Sequence, residues 1–363
     1  MNLELTDEQV ALRDTTRRYL AEKASVSDHV RPLLDDPRGM DDAVWRGLAD
    51  LGTTGLLVPE EHGGAGMTMV EAGVVAEELG AGLHPGPWLS TAVAATRALT
   101  RLGAGDAGAE LLSGIADGTT IATVCFLDRA SMAADRQGND IVLRGEVAAV
   151  PDAAAADVLL TLADDSDGTG LFAVERSSVS ITPESGIDQT RKQFRVTFDG
   201  APARRLTTAE PADVAAVVDD VLIATAADAL GAARAIADLA VEYAKTRKQF
   251  GQAIGSFQAV QHLCVDMYET VELARSGVIH ALWAGDAADS DERHLAALRA
   301  KAFSGRLATV GDTAIQVFGG IGYTWEHDAH LYFKRLLSWS ALLGPPDRYL
   351  TELGARLANS GAR

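Results

Sequence analysis

The stretch Glu242–Gln261, EYAKTRKQFGQAIGSFQAVQ, sets Lys245, Arg247 and Lys248 within four positions, directly before Phe250-Gly251. The rest of the chain makes that crowding unusual, because 32 Lys+Arg stand against 51 Asp+Glu for a formal charge of −19. Two readings are open. Cations in the last turn of a helix complement its dipole. The same turn can hold an anion, since a guanidinium offers a rigid fork to phosphate. Gln249, Gln252 and Gln258 add neutral donors, and Phe250 can lie against a planar ring.

Working outward, 363 residues suffice for two or three domains at roughly 150 residues each. Hydrophobic residues at 47% and charged residues at 23% are ordinary for a globular protein. The acidity argues against nucleic acid and against an anionic membrane surface, both of which need a basic face. An anionic ligand must therefore be met by local positive groups. Cys125 and Cys264 lie in apolar contexts, which points to free thiols rather than a disulfide or metal site. The start MNLELTDEQV has no basic and apolar leader pattern. The longest apolar run, VVDDVLIATAADALGAA, is interrupted by Asp219, Asp220 and Asp228 and falls short of the roughly 20 residues that span a bilayer. These features read as a cytoplasmic protein without membrane insertion. Asp219 and Asp220 read as solvated helix charges.

The order of textures is helices, strands, helices. Thr6 with Gln9 forms a capping box for a first helix. Further helices are expected at Asp42–Leu51, Met67–Leu79, Ser90–Leu102 and Gly108–Ala116. From about Thr120 to Leu206 the segments TIATVCFL, DIVLRGEVAAV, ADVLLTLA, GLFAVERSSVSI and KQFRVTF are short and β-rich, separated by Gly, Asp or Pro. Helical spacing then returns over Ala212–Lys248, with only Gly231 inside it, Phe257–Ala288, Glu292–Phe318, Glu326–Leu343 and Arg348–Asn359. GDAADSDER, Gly285–Arg293, reads as an acidic loop. The expected fold is α+β: an N-terminal helical domain (1–119), a small β domain (120–207) and a C-terminal four-helix bundle (208–363).

A second stretch carries chemistry: QVFGGIGYTWEHDAHLYFKR, Gln316–Arg335. Gly319, Gly320 and Gly322 let a ligand approach the backbone at a helix start, although a tight interhelical turn would use the same glycines. His327 and His330 are one helical turn apart, but no second cluster completes a metal site, and Glu326 and Asp328 suit a helix N-terminus. No GxGxxG follows a strand, and no nucleophile elbow is present.

RKQFG…FQ followed by QVFGGIGYTWEHDAHLY, after LTDEQ and VPEEHGGAG, resembles the acyl-CoA dehydrogenase family over nearly the whole length. The resemblance implies the fold order just read, and FAD as cofactor, held across a subunit interface. It assigns Arg247, Phe250, Gln258, Gln316, Gly319 and Gly320 to the tail of a neighbouring subunit's FAD. It also implies removal of hydrogens from Cα and Cβ of an acyl-CoA thioester, with a carboxylate taking the α proton and an electron-transfer acceptor downstream.

That carboxylate is missing where the resemblance looks for it. The usual Glu position is Leu343, in SWSALLGPPD, and the alternative one on the helix before RKQFG is Val221. Asp220 is adjacent, but one helical step rotates about 100° and Asp is shorter than Glu. The segments that cover the flavin ring in the family read here as CFLDRASM (Cys125–Met132) and EVAAVPDA (Glu146–Ala153), without the family's groups. The resemblance therefore narrows to the shorter, base-lacking subunit of actinobacterial heteromeric acyl-CoA dehydrogenases. It would work in a heterotetramer with a homologous catalytic subunit, in lipid or sterol side-chain catabolism. Two alternatives stay open: a self-sufficient homo-oligomer with Asp220 or a distant acid as base, and a flavin-free scaffold.

Overall fold

The computed structural model describes residues 4–127, 132–137 and 140–360. The capping box forms: Gln9 N donates to Thr6 Oγ1 at 3.3 Å and Thr6 N to Gln9 Oε1 at 3.0 Å, opening α1 (Asp7–Lys23). Thr6→Ala removes one arm of that box, so we expect a loss of about 1 kcal/mol in local stability, read as faster amide exchange over residues 7–10.

A π-helical turn, Val26–Val30, and α2 (Arg31–Leu33) lead to α3 (Asp42–Asp50). Asp41 caps α3, and Gly52 ends the segment at φ +76°. Then come α4 (Met69–Ala81), a π-helical run Leu89–Ala95 continuing into α5 (Thr96–Arg101), and α6 (Gly105–Ala116). The strands are β1 (Ala122–Val124), β2 (Ala133–Gln137), β3 (Asp140–Pro151), β4 (Val158–Asp165), β5 (Gly168–Glu175), β6 (Ser180–Glu184) and β7 (Gln193–Thr208). After them run α7 (Pro211–Thr246), the hairpin β8 (Lys248–Gln249) and β9 (Gln252–Ala253), α8 (Gln258–Ala287), α9 (Ser290–Ala302), α10 (Ser304–Phe318), α11 (Ala329–Ala341) and α12 (Pro346–Ser360). An N-terminal helical part, a middle β domain and a C-terminal helical domain follow one another.

By their contacts the residues group into two units. One holds Arg31–Ala72 and Pro85–Val221. Its sheet closes on itself: β4 pairs with β2 and β5, β2 with β3, β3 with β7, and β7 with β5. β1 lies parallel to β4, and β6 extends along the other end of β7. Strand alternation fills both faces. Leu159, Phe172 and Val174 pack inside with Leu143, Phe194, Val196 and Phe198. Val158, Leu160 and Leu171 point the other way, onto Leu99, Leu112, Ile115 and Val217.

The other unit holds Met1–Val30, Gly73–His84 and Leu222–Arg363. Its central feature is a backbone-to-backbone crossing of α4 and α7. A Cβ on Gly80 would meet Asp228 O at 1.9 Å, and one on Gly231 would meet Glu77 O at 1.8 Å. Glycine is needed at both positions because no side-chain atom fits. Arg234 ties the crossing to Glu77 at 3.2 Å and Glu78 at 3.0 Å, Arg17 adds a 2.8 Å bond to Glu78, and Arg275 reaches Glu77 at 3.2 Å.

Three expectations are corrected. Asp219 and Asp220 are not solvated; they are 4% and 0% exposed. Arg101 takes Asp220 in a fork at 2.7 and 3.1 Å, and Arg97 lies 3.5 Å away, which supplies the counter-charge a buried carboxylate requires. The expected helix Glu292–Phe318 is two helices, α9 and α10, meeting at Phe303, where ψ flattens to −9°. The acidic segment Gly285–Arg293 is helical except at Ala288 and Asp289. Asp289 accepts from Glu292 N at 2.9 Å, a cap that starts the next helix at once. Cys125 is buried and Cys264 half-buried, both free, and burial pushes both thiols above their usual range.

Candidate functional site

α7 begins on Pro211, whose fixed φ suits a first helical turn, and ends at Thr246. The chain then reverses through a two-residue hairpin loop, Phe250 at φ +53° and Gly251 at φ +82°. Positive φ at both central residues is the turn whose twist matches a tight hairpin. It leaves Phe250 92% exposed, edge-on to Phe257 at 6.1 Å.

The three cations divide. Lys245 is engaged by Glu242 at 2.6 Å. Arg247 and Lys248 are exposed, and among the described residues no carboxylate engages either side chain. Arg247's backbone is fixed on both sides, its N–H donating to Tyr243 O and its carbonyl accepting from Ile254 N, each at 2.8 Å. Gln258 stands exposed as the first residue of α8. Gln249 turns its amide onto Lys248 O at 2.8 Å, and Gln261 donates to Gly255 O at 2.9 Å, so those two amides serve the local backbone.

The second segment sits at the end of α10. Gln316, Gly319 and Gly320 are exposed. Gly319 has φ +64°, and a Cβ built on either glycine meets nothing within 4 Å. Gly322 differs, since its Cβ would press on Phe318 at 3.0 Å. The GGxG signature thus splits into two glycines open to approach and one demanded by packing. Tyr243 on α7 and Phe318 on α10 bring the two segments together, with ring centroids 5.1 Å apart. Phe318 continues onto His327 at 4.4 Å, and His327 Nδ1 accepts from Ala329 N at 3.1 Å. The helix expected from Glu326 therefore starts at Ala329, with Asp328 at its N-cap and the His327 ring accepting from its first backbone N–H. His330 lies edge-on to Trp325 at 4.5 Å, so each histidine takes a packing partner of its own. Tyr243 escaped the sequence reading; its spacing from Arg247, one helical turn, was the available signal.

Neither position where a base is sought presents a carboxylate. Leu343 is half-buried at φ +55°, and its carbonyl accepts from Tyr349 Oη at 2.8 Å and Arg348 Nη1 at 3.3 Å. Val221 is 9% exposed. Asp220 has both oxygens engaged by Arg101.

Of the segments matched to a flavin-ring cover, Asp128 to Ser131 lie outside the described residues. Cys125 and Phe126 are core residues. In Glu146–Ala153, Glu146 pairs with Arg195 at 2.5 Å, and Ala149 N donates to Glu184 Oε2 at 2.7 Å. Pro151 O accepts from Thr123 Oγ1 at 2.6 Å, and Asp152 accepts from Ser90 Oγ. As a whole the arrangement offers a guanidinium, an ammonium, free amides and open glycine backbone, which fits a diphosphate and an attached planar group.

Residues 6–119 match the acyl-CoA dehydrogenase N-terminal domain and residues 222–357 the acyl-CoA dehydrogenase C-terminal domain. The chain is similar to acyl-CoA dehydrogenase IpdE2 of Mycolicibacterium smegmatis, 34% identical over 97% of this chain and 100% of that protein. Among solved structures it resembles a variant of the Tcur3481-Tcur3483 steroid ACAD, with TM-score 0.88, 30% identity, 98% of this chain and 99% of that one. It also resembles the ChsE4-ChsE5 complex from Mycobacterium tuberculosis, with TM-score 0.89, 26% identity and 99% of each chain.

Proposed function

The chain belongs to the acyl-CoA dehydrogenase family, and from that premise we propose that it is the tail-binding subunit of a heteromeric, FAD-dependent acyl-CoA dehydrogenase. The single observation that carries the reading is an asymmetry. Among the described residues Arg247 and Lys248 stand without counter-charge in a chain of net charge −19, while Leu343 and Val221 occupy both places where a base is sought. FAD, when bound, supplies the acceptor for the hydrogen leaving Cβ. Arg247 binds its diphosphate with a two-pronged guanidinium, and Gln258 and Gln316 add amide contacts. Gly319 and Gly320 allow backbone approach, and Phe250 covers a planar face. The proton from Cα goes to a carboxylate of the homologous catalytic subunit. A separate electron-transfer acceptor would take the electrons.

For substrate we propose an acyl-CoA from steroid side-chain breakdown. The support is the similarity to a steroid ACAD at 30% identity over nearly the full length. Among the described residues no helix is long and apolar enough to cross a membrane, and we assign the assembly to the cytoplasm.

The test is expression of the chain alone and together with homologous subunits. The expected result is a colourless lone chain, with flavin absorbance and acyl-CoA-dependent bleaching appearing only in a mixture. A lone chain that purifies yellow and bleaches on adding an acyl-CoA would establish the self-sufficient enzyme instead. Absence of flavin from every mixture would leave the scaffold.

A further inference from the structure

Lys301 on α9 is 0% exposed, and among the described residues no carboxylate contacts its ammonium. It donates to Trp339 O, and to Ser340 O at 3.1 Å. These are carbonyls in the last turn of α11, where a helix leaves acceptors unsatisfied and carries partial negative charge. The ammonium also lies over the ring of Trp339 at 4.3 Å and faces that of Tyr349 at 5.8 Å. Tyr349, on α12, donates its hydroxyl to Leu343 O. One buried amine thus lies against α11 and α12 on either side of a turn that contains a left-handed leucine at φ +55° followed by Gly344 at φ +111°. A bulky residue held there is strained unless its surroundings fix it.

We propose that Lys301 is the pin of a latch: it ties the end of α11 to α9 and α12, sets the turn Leu342–Gly344, and frees that turn and α12 together when it leaves its seat. The inference concerns this chain alone and does not depend on flavin or partner.

The latch responds to protons in a defined direction. Burial brings the Lys301 ammonium down to about 7, whereas a lysine released to water titrates near ~10.4. The closed latch therefore binds fewer protons than the open one between those values. Raising pH through that window favours closure by up to roughly tenfold per unit, and below it the balance stops changing.

Other charged and polar groups pack around α9. α11 presents neutral carbonyls and α10 the buried hydroxyl of Ser304. α12 presents Arg348, over the Tyr349 ring at 5.9 Å, and Glu352, which meets His294 at 3.2 Å and Arg356 at 3.1 Å. α8 presents His280, 3.4 Å from Glu292, which also takes Arg299 at 2.7 Å. The His294–Glu352 pair acts in the opposite sense, because it loosens as histidine loses its proton.

Amide hydrogen exchange on the full chain, corrected for the intrinsic rate, reads the latch directly. Glu352→Gln serves as the background, to remove the opposing pair. Protection over residues 339–350 is expected to rise by at least about tenfold from about pH 7 to about pH 9, with residues 304–318 unchanged. Adding Lys301→Met, similar in shape but without charge, flattens that dependence. Tyr349→Phe keeps the pH dependence and lowers protection only around Leu343. A flat or falling profile in the Glu352→Gln background overturns the proposal, and that arm needs no variant of Lys301. The same slope persisting in Lys301→Met overturns it too, as does exchange of 339–350 only together with the whole unit.

Discussion

Gly231→Ala is expected to prevent the helical unit from forming. The new Cβ would lie 1.8 Å from Glu77 O, 2.7 Å from Glu77 C and 2.9 Å from Ala81 N, all backbone atoms of α4. A flexible side chain can swing away from such a clash; a helix backbone cannot, so the two helices must separate. Separation pulls Arg234 from Glu77 and Glu78 and disturbs Arg17 and Arg275, which share those carboxylates. Ordinary overpacking costs about 1–3 kcal/mol. Adding the separation of the two helices and the loss of a part-buried ion-pair network puts the expected loss above about 4 kcal/mol, much of a typical domain's stability. Thermal melting by circular dichroism and the soluble yield check it. Gly277→Ala is the control: it lies in α8 with nothing within 4 Å of its Cβ, so the same chemical change should be neutral or stabilising there by about 0.5–1 kcal/mol. Gly231→Ala protein that melts within a few degrees of the parent would remove the crossing from its central place.

Arg247→Ala in the assembled heteromer is expected to weaken FAD retention by roughly 10- to 100-fold, the scale of losing a forked, charge-assisted contact to a phosphate. Arg247→Lys should recover only part of that, because an ammonium supplies charge without the fork. Lys245→Ala is the internal control. Lys245 lies two positions away and is engaged by Glu242, so its loss should leave flavin content unchanged. The measurement is the flavin-to-protein absorbance ratio after dialysis, with the dissociation constant from fluorescence of released FAD. Full flavin content in Arg247→Ala would refute the assignment of this turn to the cofactor.

Much of the fold was legible because local signals agreed with one another. Thr6 and Gln9 announce a capping box within four residues of sequence, and the box forms. The short β-branched segments between Thr120 and Leu206 became strands because alternation along each strand filled both faces of one sheet. What escaped was set by distant partners. Asp219 and Asp220 look like solvent charges until Arg101, 119 residues away from Asp220, is placed beside it. Gly231 looked like a blemish in a long helix; its reason lies in the backbone of another helix. Asp289 as a cap, and His327 as acceptor for the first N–H of α11, are local signals that an acidic run and a histidine before the N-cap obscure. For the candidate site, the residue types were readable from RKQFG and QVFGG. Which cation stands free and which glycine faces open space required coordinates.

The closed ring of strands has one more implication. A sheet with loose margins can recruit a strand from another molecule, and a subunit waiting for its companion is exposed to that hazard. Here β4 and β7 each carry neighbours on both sides, so few rows of main-chain donors and acceptors are left to template such growth. If the proposed heteromer forms, its assembly would be read through side chains rather than through main-chain pairing, and the choice of companion would be a matter of surface chemistry that can be altered one residue at a time.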